Sequence, residues 1–212
     1  MPKRNETVLP DYWGRAKREL AKSDPILGKI IRRHPGIALQ SRGDPFVTLV
    51  RSIVGQQISV KAADAVWGRV RSAVPRLSPR SALAASEADL RAAGLSVRKV
   101  EYVRHLAERF QSGHIRPARW HGMSDEAIAE ELVATRGIGV WTAEMLLIFN
   151  QMRPDVFPLD DIGLQKAVAL HFCEGERPGR AELRAIGERW RPWRSVATWY
   201  LWRSLDPVPV EY

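Results

Sequence analysis

The chain has 212 residues, enough for one core or for two closely packed lobes. Its single cysteine, Cys173, excludes a disulfide framework and, within this chain, a four-cysteine zinc or iron–sulfur site; the five histidines, at 34, 105, 114, 121 and 171, show no HExxH spacing. Lys and Arg number 33 against 24 Asp and Glu, and the net charge of +9 fits a polyanionic partner such as nucleic acid as well as it fits a generally basic, solvated surface. Met1 to Glu6 are largely polar and no apolar run is long enough for a bilayer, so a cytoplasmic protein without signal peptide or membrane association is expected.

Tyr12 to Arg33 reads as helix interrupted near Pro25, and Pro35-Gly36 breaks it. Pro45 suits a first helical position, and Phe46, Leu49, Val50, Ile53 and Val54 form a buried stripe at helical spacing. Gly55-Gln56-Gln57 interrupts the stripe, and Ser59 caps a further helix to about Val74. Two glutamines at such a junction are either an exposed linker or a pair of amides offered to a nucleic acid. Ser78 to Ala93 gives two short helices ended by Gly94, and Val97 to Gln111 a longer one with Arg98, Lys99 and Arg104 on its outer faces. Residues 114–123 read as loop, and Ser124 caps a helix that begins with Asp125 and Glu126. After the turn at 136–140, helix resumes from Trp141 to about Gln151. An extended piece follows at 155–159, then helices at about 162–172, 180–189 and 193–205, the last opened by Pro192. Pro207 and Pro209 end the regular structure. No stretch alternates with period two, so the predicted fold is all-α.

Gly137 and Gly139 stand two apart between helices. Glycine allows a positive φ and the close approach of another backbone. The amides that open the next helix, with the Thr142 hydroxyl one turn in, favour an anion such as a phosphate. The plainer reading is an αα-hairpin that needs glycine only for its corner.

The segment Thr135-Arg136-Gly137-Ile138-Gly139-Val140-Trp141-Thr142-Ala143 resembles the helix-hairpin-helix motif of base-excision DNA glycosylases. Pro158-Leu159-Asp160-Asp161, with Leu164 and Lys166, resembles the catalytic segment of the same superfamily, closest to its 3-methyladenine DNA glycosylase II branch. Further matches are Ser52 to Ser59, Gly94-Leu95-Ser96 with Arg98-Lys99, and Trp190 to Ser195, so the resemblance runs from about Asp44 to Trp202. It implies two helical lobes flanking a cleft, with the helix-hairpin-helix at its rim. In a single unit over 1–212, lobe A is expected over 1–44 plus 162–212. Lobe B is expected over 45–161, with the hairpin motif at about 125–151. The chain is expected to lack the extra N-terminal β-rich domain of longer members.

The resemblance implies a monofunctional glycosylase of alkylated purines that acts as a monomer on damaged double-stranded DNA. The same fold serving another base (uracil, a mismatch or a deaminated purine) is the alternative, and a non-catalytic DNA-binding module the third reading. The essential acid maps to Asp161, through Leu164 and Lys166; the capping of the following helix is expected of Asp160. N-glycosidic cleavage builds positive charge at C1′, which a preplaced carboxylate stabilises. Bifunctional members carry a nucleophilic lysine where this chain has Trp141, and an indole cannot form a Schiff base.

Trp141 and Trp202 map to aromatics of the base pocket, while Trp190, Trp193 and Trp199 are expected in the core. Met145 and Ile162 stand where the best-known member has tyrosines, so the pocket is less aromatic. Gln57, with Gln56 beside it, is the expected wedge filling the space of the flipped nucleotide. No cofactor is required and no iron–sulfur cluster is expected. The resemblance implies a Na+ or K+ ion held by the carbonyls of Val133, Thr135 and Ile138.

Overall fold

The computed structural model describes residues 9–36, 38–39, 41 and 43–205. The readings of Met1 to Glu6 and of Pro207 and Pro209 lie outside them. The described residues contain helices and no strand.

The chain forms two compact units, one from the described residues up to 41 together with 147–205, the other from 43–146. In the first are α1 (Trp13–Ser23), α2 (Pro25–Arg33), α10 (Ile162–Phe172), α11 (Arg180–Glu188) and α12 (Arg194–Leu205). Asp24 ends α1 and caps α2, its Oδ1 accepting from the Ile26 and Leu27 amides. Ser195 to Arg203 are all buried, so α12 is the central helix of this unit and packs on α1, α2 and α10. Its approach is lined by indoles whose N–H groups find carboxylates. Trp190 donates to Asp24 at 3.0 Å and Trp193 to Glu19 at 2.6 Å, which lets large amphipathic rings be buried.

The second unit holds α3 (Pro45–Gly55), α4 (Val60–Ala73), α5 (Pro79–Ala84), α6 (Glu87–Ala92), α7 (Val97–Gln111), α8 (Asp125–Val133) and the start of α9 (Val140–Phe149). Here α7 is central and packs on α3, α5 and α6; Phe46 of α3 meets Phe110 of α7 edge-on, at 5.3 Å between centroids. Ser59, Ser78, Ser86, Ser96 and Ser124 each cap the helix that follows, as N-cap chemistry requires.

Four features differ from the sequence reading. Pro117–Gly122, read as loop, is a 3-10 helix, too short to show an apolar period. Of the apolar residues on α4, Val70 is buried but Ala62 is exposed, and Trp67 meets the Arg51 and Arg71 guanidiniums instead of a core. Pro192 precedes rather than opens α12, behind a cis peptide bond from Arg191. The lobe boundary falls inside α9, between Leu146 and Leu147, not at 161/162. The reason is that 154–156 is fastened to α12: Ser195 donates its backbone N–H to the Pro154 carbonyl, its hydroxyl accepts from the Val156 amide, and Arg194 pairs with Asp155 at 2.7 Å.

Candidate active site

In the second unit the hairpin lies between α8 and α9. Thr135 accepts from the Ile138 amide at 3.0 Å, and Gly137 turns the chain with φ +85°. A Cβ at Gly137 would come 2.3 Å from the Tyr102 ring, so glycine is needed twice, for its dihedral and for the close approach. The Gly139 carbonyl accepts from Ala143, which starts α9 at a residue with no side chain to occupy its first amides. A Cβ at Gly139 would meet nothing within 4 Å, and both Gly139 and Val140 are exposed. The Arg136 amide donates to His105 Nδ1 at 2.9 Å, which fixes that nitrogen as an acceptor. Thr142, expected to face a phosphate, is buried at 4 % exposure, as is Met145; Trp141 is half-buried.

The glutamine loop lies in the same unit. Gln56 turns its amide inward and donates to the Gly137 carbonyl at 2.8 Å, which ties loop to hairpin. Gln57 is exposed and holds φ +59°, a left-handed conformation rare for a non-glycine residue. Ile58 beside it is also exposed, at 40 %. Lys99, expected on the outer face of α7, instead donates to the Val54 and Gln56 carbonyls. Arg104 likewise reaches the Ala85 carbonyl, because long basic stems carry their heads far from their own helix position.

In the first unit, α10 begins at Ile162, which is 63 % exposed, and its N-cap is Asp161. This corrects the capping role expected of Asp160. Asp161 has the extended backbone of a cap (φ −76°, ψ 117°) directly before the first helical residue, and its Oδ1 accepts from the Leu164 amide at 2.6 Å. Asp160 is exposed and pairs with Arg180. The same Oδ1 accepts from Trp202 Nε1 at 2.8 Å, and the Trp202 ring stacks on Phe149 with centroids 5.7 Å apart. Asp161 retains 6 % exposure. A Cβ at Gly163 would stand 3.1 Å from that oxygen and 3.2 Å from the Trp202 indole, so the missing side chain makes room for the pair. The carboxylate is therefore held at a helix N-terminus by a backbone amide and an indole N–H, in surroundings that exclude most water.

Three contributors escaped the sequence reading: Tyr102, which packs against Gly137; Gly163, which clears space for the acid; and Phe149, which backs Trp202. Lys99, Tyr102 and His105 recur at helical spacing on α7, and that stripe was the available signal for the first. No group of three or more His, Cys, Asp and Glu side chains among the described residues could hold a metal ion, and no described helix is long and apolar enough to cross a membrane.

A helix–glycine hairpin–helix followed by a rigidly held N-cap aspartate defines a helix-hairpin-helix protein with a candidate acid. A model described as HhH-GPD superfamily base excision DNA repair protein matches residues 50–192, and the chain belongs to that superfamily. It is 31% identical over 183 residues to DNA-3-methyladenine glycosylase 1 of Schizosaccharomyces pombe, covering 84% of this chain and 80% of that protein. The crystal structure of a DNA-3-methyladenine glycosidase from Bacillus halodurans superposes with a TM-score of 0.82 at 36% identity, over 90% of this chain and 89% of that one. The S. pombe 3-methyladenine DNA glycosylase Mag1 in complex with abasic DNA superposes at 0.78 and 27% identity, over 93% and 99%.

Proposed function

We propose that this protein is a monofunctional DNA glycosylase of base excision repair. In this reading it extrudes an alkylated purine of the 3-methyladenine or 7-methylguanine type from duplex DNA and hydrolyses its N-glycosidic bond, leaving an abasic site. The observation that carries the proposal is the Asp161 carboxylate, fixed by the Leu164 amide and Trp202 Nε1. As the base departs with the bonding electron pair, positive charge grows at C1′. A carboxylate already locked in place stabilises that charge without reorganising, an effect whose loss typically costs about a hundredfold or more in rate. Water adds to C1′ and loses its surplus proton to bulk water, and the departing base, cationic while attached, leaves neutral. No strong general acid is then needed.

The other residues take supporting parts in this account. The open amides at Gly139 and the turn at Gly137 receive a phosphate of the damaged strand. Gln57, exposed and strained, fills the gap left in the duplex, whereas Gln56 is committed to the Gly137 carbonyl. Half-buried Trp141 offers an indole to the cationic base, an attraction of about 0.5–2 kcal/mol. Met145, buried, and Ile162, exposed, keep only the pocket role that the resemblance implies, and Trp202 acts chiefly by orienting Asp161. A Na+ or K+ ion at the hairpin fits the residues present: Thr135 is buried, and its hydroxyl has no hydrogen-bond partner among the described residues. The carbonyls of Val133, Thr135 and Ile138 would hold the ion, and its charge would strengthen the hold on phosphate.

The test is base release from a panel of duplexes carrying methylated, deaminated or mismatched bases, scored before and after alkaline cleavage. The proposal expects release from the methylated purines with strand breaks only after alkali. Release confined to uracil or mismatches, breaks without alkali, or a borohydride-trapped adduct would each contradict it.

A further inference from the structure

The Gly94-Leu95-Ser96 stretch, with Arg98 and Lys99, takes no part in the chemistry at Asp161. Ser96 caps α7, and from the first turn of that helix Lys99 reaches back to the end of α3. Its Nζ donates to the Val54 carbonyl at 2.7 Å and to the Gln56 carbonyl at 2.8 Å. Carbonyls at a helix C-terminus lack intrahelical partners and favour a cation, so one ammonium satisfies two acceptors there. Gln56 passes the connection on, since its Nε2 donates to the Gly137 carbonyl. One polar bridge thus runs from α7 through the glutamine loop to the hairpin. Beside it opens a cavity of about 390 Å³, lined by Gln57, Ser96, Arg98, Tyr102 and Gly139 among others. Between Gln56 and the exposed tip stands the left-handed Gln57, a conformation that persists only where its surroundings hold it. Partial burial pushes the Lys99 amine below the ordinary lysine value.

We propose that Lys99 is a positioning residue for base extrusion. It holds the glutamine loop in the conformation from which Gln57 enters the duplex, and through Gln56 it keeps that loop in register with the hairpin. The extrusion part rests on the glycosylase reading; the brace itself does not. A compact point charge with three donors suits two converging carbonyls, and neither a neutral chain nor a planar guanidinium reproduces it. Unstacking and unpairing cost least for a base that is already unpaired. Loss of the brace therefore slows release from paired lesions and spares unpaired ones, a selectivity that a general loss of folding would not give.

The experiment compares wild type, Lys99→Met, Gln57→Ala and the double variant in single-turnover release of 7-methylguanine, placed opposite cytosine or opposite an abasic gap. Lys99→Met should slow release from the paired duplex by at least about tenfold, the factor carried by just one of the two charged hydrogen bonds it removes, and by less than about threefold from the gapped one. The double variant should be no slower than Gln57→Ala, because Lys99 acts through that loop. Equal slowing on both duplexes, or a double variant slower by the full Lys99→Met factor, would overturn the inference. Hydrogen–deuterium exchange on the free proteins gives a readout that needs no activity. Residues 54–59 and 136–140 should exchange faster in Lys99→Met while α10 is unchanged, and unaltered protection of the loop overturns the brace. If the wild-type protein releases no alkylated base, the glycosylase reading fails and the exchange result still decides the role of Lys99.

Discussion

Gly163→Ala separates what holds the fold from what aims the acid. Gly163 is the second residue of α10 and is not in the left-handed region, so alanine fits its backbone. Replacing a helical glycine by alanine stabilises by about 0.5–1 kcal/mol through helix propensity. Against this, the new Cβ stands 3.1 Å from Asp161 Oδ1 and 3.2 Å from Trp202 Cδ1 and Nε1, where ordinary contacts begin at 3.4 Å. The carboxylate and indole must give way by a few tenths of an ångström, and both are hydrogen-bonded to each other, so they move together. The two effects on stability nearly cancel, and the melting temperature should stay within roughly 4 °C of wild type, the shift worth about 1 kcal/mol in a chain of this size. The rate should not stay. If a misplacement of about 1 Å costs on the order of a hundredfold, a few tenths cost roughly threefold to tenfold. Differential scanning calorimetry and single-turnover release from a methylated duplex measure the two quantities on one preparation. Release at the wild-type rate from a stably folded Gly163→Ala would refute the claim that the position of this carboxylate sets the rate.

The hairpin and the protonation of His171 give two further outcomes. Gly137→Ala adds a left-handed penalty of roughly 1–2 kcal/mol to a collision with the Tyr102 ring, so a loss of about 2–4 kcal/mol and a melting temperature lowered by roughly 5–15 °C are expected; an unchanged transition would contradict the turn geometry. His171 hydrogen-bonds with Ser204 at 2.8 Å, and burial, then the nearby Arg33 charge, push its pKa below 6.5. Above 6.5 it is neutral in both states; as pH falls the unfolded chain takes up the proton first, so stability is lost down through the lower folded value. Melting curves between pH 7 and 5 should therefore fall less steeply for His171→Asn than for wild type, and parallel curves would sink the assignment.

Helix starts were legible where a cap announced itself: Ser59 and Ser124 bond the amides that their positions imply. The hairpin was legible because a glycine turn between helices is a local pattern, whereas the candidate acid was placed by the family resemblance, through Leu164 and Lys166. Which aspartate caps α10 was not legible, since both precede it and only the hydrogen bond from Leu164 decides. That one side chain is both cap and candidate acid is a long-range fact, visible once Trp202, 41 positions on, is seen to donate to it. The inward turn of Lys99 and the packing of Tyr102 on Gly137 were hidden for the same reason: periodicity names a face of α7 but not what the face meets. The lobe boundary was misplaced because 154–156 is tied to Arg194 and Ser195, partners that local pattern does not reveal.

Asp161→Asn tests the central claim most directly, because asparagine caps a helix about as well as aspartate and keeps an oxygen for Leu164 and Trp202. The account predicts a folded protein that binds an abasic-site duplex with wild-type affinity while releasing methylated purines at least about a hundredfold more slowly. Base release by Asp161→Asn at close to the wild-type rate would contradict it.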